Sequence, residues 1–106
     1  MRKIKFRAWN IDHKRMEYIS DLYWFEENGV LDDSGMGSSS DYILEQFTGC
    51  YDENGKEIYE GDIIDGWGEV IYQGAAFCIS GEPMFSLKTW KLAVIGNIHE
   101  NAELLK

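Results

Sequence analysis

Residues 46–64, QFTGCYDENGKEIYEGDII, carry the densest local instruction in the chain. Asp52-Glu53-Asn54-Gly55 is a turn signal, because Asn and Gly accept the positive φ angles that a tight hairpin needs. Phe47, Thr48 and Tyr51 before it, and Ile58 and Tyr59 after it, favour strand. Glu60-Gly61-Asp62 is a second turn-like step that releases the chain into Ile63-Ile64. The stretch predicts a hairpin followed by entry into a barrel or sandwich strand, with Asn54, Gly55, Gly61 and Asp62 as its structural turn residues.

Short strands and turns continue on both sides. From Lys3 to Trp9 the residues alternate, with Ile4, Phe6 and Ala8 on one face and Lys3, Lys5, Arg7 and Trp9 on the other. This period of two predicts a half-buried strand with Ile4 and Phe6 inward. A polar turn at 10–14 leads to a return strand, Arg15 to Ser20, with Met16, Tyr18 or Ile19 toward the core. Residues 22–31 read as another hairpin around Asn28-Gly29, and 32–41, DDSGMGSSSD, as a mobile surface loop. Tyr42 to Thr48 favours strand. Beyond the opening stretch, strands are predicted at 69–72, 76–79, 84–87 and 92–95, separated by Gly-rich turns, with Pro83 in a turn. Gly96 and Asn97 end the last strand, and Asn101 is placed to cap a single helical turn, 102–105. The pattern is that of a mainly β chain forming a small sandwich or barrel, preceded by N-terminal hairpins.

A chain of 106 residues is most simply one domain. With 44% hydrophobic and 14% aromatic residues it is too apolar for a disordered chain, despite a net charge of −9. The charge is uneven: Arg2, Lys3, Lys5, Arg7, Lys14 and Arg15 supply six of the ten basic side chains. They read as a solvated basic strand edge, or alternatively as a small nucleic-acid contact at Arg2, Lys3, Lys5 and Arg7. The overall negative field disfavours general nucleic-acid binding, since about 10 Å of separation is needed for each Debye length of screening at 0.1 M salt. Cys50 and Cys78 stand alone in apolar surroundings and are expected to be reduced core thiols; whether they lie close in space is open at this level. No apolar run approaches the roughly 20 residues of a membrane span, so no membrane partner is expected.

The chemical motifs fail on spacing. If Gly55 is aligned with the glycine of an EF-hand loop, Cys50 falls on the first ligand position and Gly61 on the bidentate acid. His13 and His99 are isolated, so no metal site or cofactor is expected. Glu57, Glu60, Asp62 and Asp65 read as a solvated edge whose like charges block strand pairing, ahead of a paired-carboxylate hydrolase. No catalytic residue is assigned, and a non-enzymatic role is expected. Four Trp and six Tyr exceed what a small core easily hides, which makes Trp9, Trp24, Trp67 and Trp90 the candidate protein contacts.

Three blocks together, KFRAWN (5–10) with Met16 shortly after, TGCYDENGKEIYEGDII (48–64) and VIGNIHENAELL (94–105), resemble the YopX family of small phage and prophage proteins. The family's blocks look like FRAW, an aromatic-TGL-x-D-x-NG-x-I-aromatic-EGDI run, and a terminal IGN-I-aromatic-ENPELL. Cys50 stands where leucine is usual, His99 where an aromatic is usual, and Ala102 where proline is usual; without that proline a favourable first helical residue is lost. The resemblance implies an SH3-like barrel over 61–106, after an N-terminal hairpin region over 1–60. It also implies a cytoplasmic life in a bacterial host and a protein partner or self-association.

Overall fold

The computed structural model describes residues 5–19 and 42–105. The chain divides into two compact units, Lys5–Gln46 and Phe47–Lys106. The hairpin expected at 22–31, the loop at 32–41, and Arg2, Lys3, Ile4 and Trp24 lie outside the described residues. The architecture is mainly β, with curled antiparallel sheets, a half-barrel and short 3-10 turns toward the end.

In the first unit, β1 (Phe6–Asn10) lies between β2 (Arg15–Ile19) and the first half of β3 (Tyr42–Tyr51). Arg7 pairs in register with Tyr18 on one side and Glu45 on the other. Among the described residues the strand begins at Phe6 and runs one residue past the expected end at Trp9, and its burial does not alternate. Arg7, Ala8, Trp9 and Asn10 are all buried, so both faces of β1 are covered rather than one. Asn10 closes the β1–β2 turn: its Oδ1 accepts the His13 N–H at 3.0 Å, and its Nδ2 donates to Glu17 Oε2 at 2.9 Å. On β2, Met16 and Ile19 are half-buried while Tyr18 faces solvent.

The second unit begins with the predicted hairpin. The later half of β3 pairs with β4 (Glu57–Tyr59), Phe47 opposite Tyr59 and Tyr51 opposite Glu57. Residues 48–50 therefore face Ile58 alone, a bulge that breaks the ladder. The Thr48 hydroxyl fills the gap, donating to the Ile58 carbonyl at 2.7 Å and accepting the Cys50 N–H at 3.2 Å. Gly49 follows at φ 88°, a conformation that disfavours any Cβ. Thr48-Gly49 is thus a built irregularity rather than plain strand. Phe47 packs between Tyr51 and Tyr59, each ring centroid 5.5 Å away.

The half-barrel follows: β5 (Asp62–Ile64), β6 (Gly68–Gln73), β7 (Ala76–Ile79), β8 (Glu82–Pro83) and β9 (Val94–Asn97). Their order is β8-β7-β6-β5-β9, so the last strand returns to pair with the first. Ile58, Ile64, Val70, Phe77, Ile79, Met84 and Leu92 form the core, with Cys50, Leu87 and Val94 packed against it. Cys50 and Cys78 are both free thiols. Two departures from expectation concern the chain after β7. The run 84–87 is a 3-10 turn (Met84–Ser86), not a strand, and Pro83 belongs to a short edge strand where its missing N–H leaves no ladder bond unmade. A second 3-10 turn, Thr89–Lys91, precedes β9, and a third, Ala102–Leu105, ends the described chain. The Asn101 side chain does not point forward into that last turn as a cap. Its Oδ1 accepts the Asn97 N–H at 3.2 Å and lies where a Cβ on Gly96 would be, 2.5 Å from it.

The β6–β7 connection is a two-residue turn with positive φ at both positions, Gly74 at 60° and Ala75 at 66°. Primed turns of this kind match the twist of the flanking strands, but alanine in the left-handed region is strained. Ala75→Gly is expected to raise the urea midpoint by the equivalent of about 1 kcal/mol with no change in m, and Gly74→Ala to lower it.

Candidate protein-contact surface

The second unit is drawn together at one end by a single carboxylate. Asp52 is 4% exposed. Its Oδ1 accepts the N–H groups of Asn54 (2.9 Å) and Lys56 (2.8 Å), which shapes the hairpin turn. Its Oδ2 accepts the N–H of Val94 at 3.0 Å, tying the turn to the last strand. Backbone bonds run alongside: Glu53 N–H to Leu92 O at 2.8 Å and Asp65 N–H to Ala93 O at 3.0 Å. Burial alone would raise the Asp52 carboxyl; the donors from Val94, Lys56 and Asn54, with the Lys56 ammonium, outweigh it and hold the group below its ordinary value.

This clasp fixes the end of the segment that joins β8 to β9, residues 84–93. Met84 at its start and Leu92 near its end are buried in the core. Between these anchors the backbone makes two tight turns, Leu87 N–H to Met84 O and Leu92 N–H to Thr89 O. Two short turns cannot turn every apolar side chain inward. Phe85 is left 84% exposed and Trp90 61%. The Lys91 ammonium lies 5.0 Å from the centre of the Trp90 ring, a cation–π contact, and Lys88 is exposed between the two aromatics.

The three described tryptophans separate. Trp90 and Trp67 are exposed, the latter at 38% in the β5–β6 turn, whose backbone carbonyl accepts the Ser80 hydroxyl. Trp9 is buried, because β1 is covered on both faces, and so offers no surface. Phe85 is not among the contacts that the sequence suggests. Its only sequence signal is its place between Pro83 and Leu87, in a run that keeps neither a strand nor a helix period. Tyr72, beside Phe77 at 5.0 Å, is a further exposed ring on the opposite end of β6.

The basic strand also differs from its expected form. Arg7 is 2% exposed, and its Nε donates to Glu45 Oε1 at 2.8 Å, so it is no solvated edge and presents no guanidinium to a ligand. Lys5 is half-buried. The acidic run is likewise divided. Asp62 is buried and accepts the Tyr59 N–H at 2.8 Å, because the turn at Glu60-Gly61 folds its carboxylate back over β4. Glu57 accepts the Tyr59 hydroxyl at 3.1 Å, while Asp65 faces solvent. Gly61 donates its N–H to Val70 O and accepts from Ile98, joining β6 and the tail to the turn. Asn97 Oδ1 accepts the N–H groups of His99 and Glu100, which forms the final bend. Asn54 and Gly55 are exposed at the hairpin tip. Among the described residues no group of His, Cys, Asp or Glu is arranged to hold a metal ion, and no helix is long and apolar enough to cross a membrane.

Comparison with known proteins places this geometry in context. The family described as YopX protein matches residues 5–106. The crystal structure of protein EF1440 from Enterococcus faecalis is similar to this chain at 28% identity and a TM-score of 0.71, over 100% of both chains. No curated protein matches the chain.

Two outcomes follow from the buried charges. Replacing Arg7 by Met leaves Glu45 buried without this partner and should cost about 3 kcal/mol in chemical denaturation, most of it recovered in Arg7→Met/Glu45→Leu. For Asp52 the folded pKa lies below the unfolded value, so its stabilisation is present above about pH 4 and is lost as pH falls through the folded value. Asp52→Asn should cost about 2 kcal/mol at neutral pH, because its amide meets the Val94 N–H donor to donor. The variant should also lose less stability than the parent on acidification below about pH 4, as followed by circular dichroism.

Proposed function

The chain belongs to the YopX protein family, and on that premise we propose that it is a phage-derived, cytoplasmic, non-enzymatic module that acts by protein–protein contact. The observation that carries this reading is the pair Phe85 and Trp90, held outward on a connector whose two ends are locked into the core. Large aromatics on a rigid segment lose little conformational freedom when covered, and they are the side chains that most often anchor interfaces. Solvating them costs more than replacing them with polar residues would, so a stability role does not account for them. The return of β9 to β5 after the 3-10 turns supports the SH3-like description of the half-barrel. The partner is a second protein or another copy of this chain. The nucleic-acid alternative loses its best-placed cation, since Arg7 is committed to Glu45.

The test is affinity capture from lysogenic or infected host cells, with the parent protein and Phe85→Ser/Trp90→Ser compared by quantitative mass spectrometry, alongside sedimentation of both. The variant should fold with stability within about 0.5 kcal/mol of the parent, and should lose its specific partner, or its self-association, by more than about tenfold. Identical prey and identical sedimentation for the two proteins would refute the reading.

A further inference from the structure

Resting on the protein-contact reading above, we propose that the connector between β8 and β9 is a docking site for an acidic segment of a partner protein, in which a few carboxylates alternate with apolar side chains. The first ground is charge segregation. The chain carries 19 Asp and Glu and a net charge of −9, yet residues 83–99 contain none, the longest such stretch in the sequence. Within that stretch lie Lys88 and Lys91, both exposed, on the segment that displays Phe85 and Trp90. Acids border the connector at its ends: Glu82 just before it, exposed Glu53 and Asp65, whose N–H groups are bonded to Leu92 O and Ala93 O, and buried Asp52, which accepts the Val94 N–H. The connector is therefore a cationic, aromatic island on an acidic protein.

The second ground is the island's size. Its two three-residue 3-10 turns, rising about 2 Å per residue, account for about 12 Å of its length. That is comparable with the Debye length of about 10 Å at 0.1 M salt. An occupant whose negative charge is confined to a short segment sets fewer of its charges against the bordering carboxylates than an extended polyanion does. A duplex carrying a charge about every 1.7 Å extends beyond the island on both sides. An anionic membrane does so in two dimensions and brings the remaining acids against its own headgroups. Carboxylates would pair with Lys88 and Lys91, and apolar side chains would cover the Phe85 and Trp90 rings. The ring face of Trp90 already opposes Lys91, so a carboxylate at the ammonium is adjacent to an apolar contact.

The experiment is selection on an array of random peptides with the purified full chain, followed by fluorescence anisotropy on labelled copies of the selected peptides. Selected peptides should combine Asp or Glu with Leu, Ile, Phe or Trp. Their affinity should fall about tenfold in Lys88→Glu/Lys91→Glu and in Trp90→Ser, and should weaken as salt rises to roughly 0.3 M, with thermal midpoints unchanged. Acid-poor selections, or full binding by the charge-reversed protein, would overturn the acidic occupant. So would connector-dependent binding of phosphatidylserine vesicles or oligothymidylate in place of peptides, or sedimentation showing that a second copy occupies the connector. Peptides that require Phe85 and Trp90 but ignore both lysines defeat this inference and leave the protein-contact reading standing. Peptide, prey and self-association that all ignore the two aromatics defeat both.

Discussion

The second unit depends on one buried carboxylate. Asp52 gathers three backbone N–H groups, two from its own turn and one from Val94, and so converts a local hairpin signal into a long-range joint. A buried acid without donors would neutralise or destabilise; with three donors it is held ionised below its ordinary range. The joint sets the end of β9, and β9 closes the half-barrel against β5. Its backbone neighbours, Glu53 to Leu92 and Asp65 to Ala93, make the closure cooperative: each bond shortens the search for the next.

A different buried polar pair governs the first unit. Arg7 and Glu45 face each other across β1 and β3. A one-residue slip in that pairing would put each charge opposite an unmatched residue, so the pair specifies register more than it adds stability. The two units thus use charge in distinct ways. Asp52 satisfies orphan backbone donors, while Arg7 and Glu45 satisfy each other.

Closure of the half-barrel also decides what the surface offers. The chain must travel from the edge strand β8 back to β9 and does so in two tight turns anchored by Met84 and Leu92. Those anchors consume the inward positions, and Phe85 and Trp90 are turned to solvent with Lys88 and Lys91 beside them. A structural need, crossing from one edge of the sheet to the other, thereby creates a rigid display of aromatic and basic groups. No Asp or Glu falls within residues 83–99, so the display itself carries only basic charge in an acidic chain.

Much of this was legible in the residues. Gly55 specified a turn because few other residues accept its φ of 79°, although Asn54 beside it does not enter the left-handed region, and the Gly-punctuated apolar runs specified short strands in sequence order. Two isolated cysteines in apolar runs read correctly as free thiols. The three blocks at 5–10, 48–64 and 94–105 identified the family, since their order and spacing are specific. Other features were not legible. A period of two says which residues of β1 share a face, but not that both faces are covered, so Arg7, which reads as part of a solvated edge, is buried. The Met84–Leu87 run has strand composition but became a turn, because the chain has to reverse there to bring β9 home. Asp52 reads as an ordinary turn residue; its bond to Val94 spans 42 positions. Local sequence determines dihedral preferences, which are properties of a few adjacent residues. Burial and partnership depend on what the rest of the chain brings to the same place, and only the tertiary structure decides that.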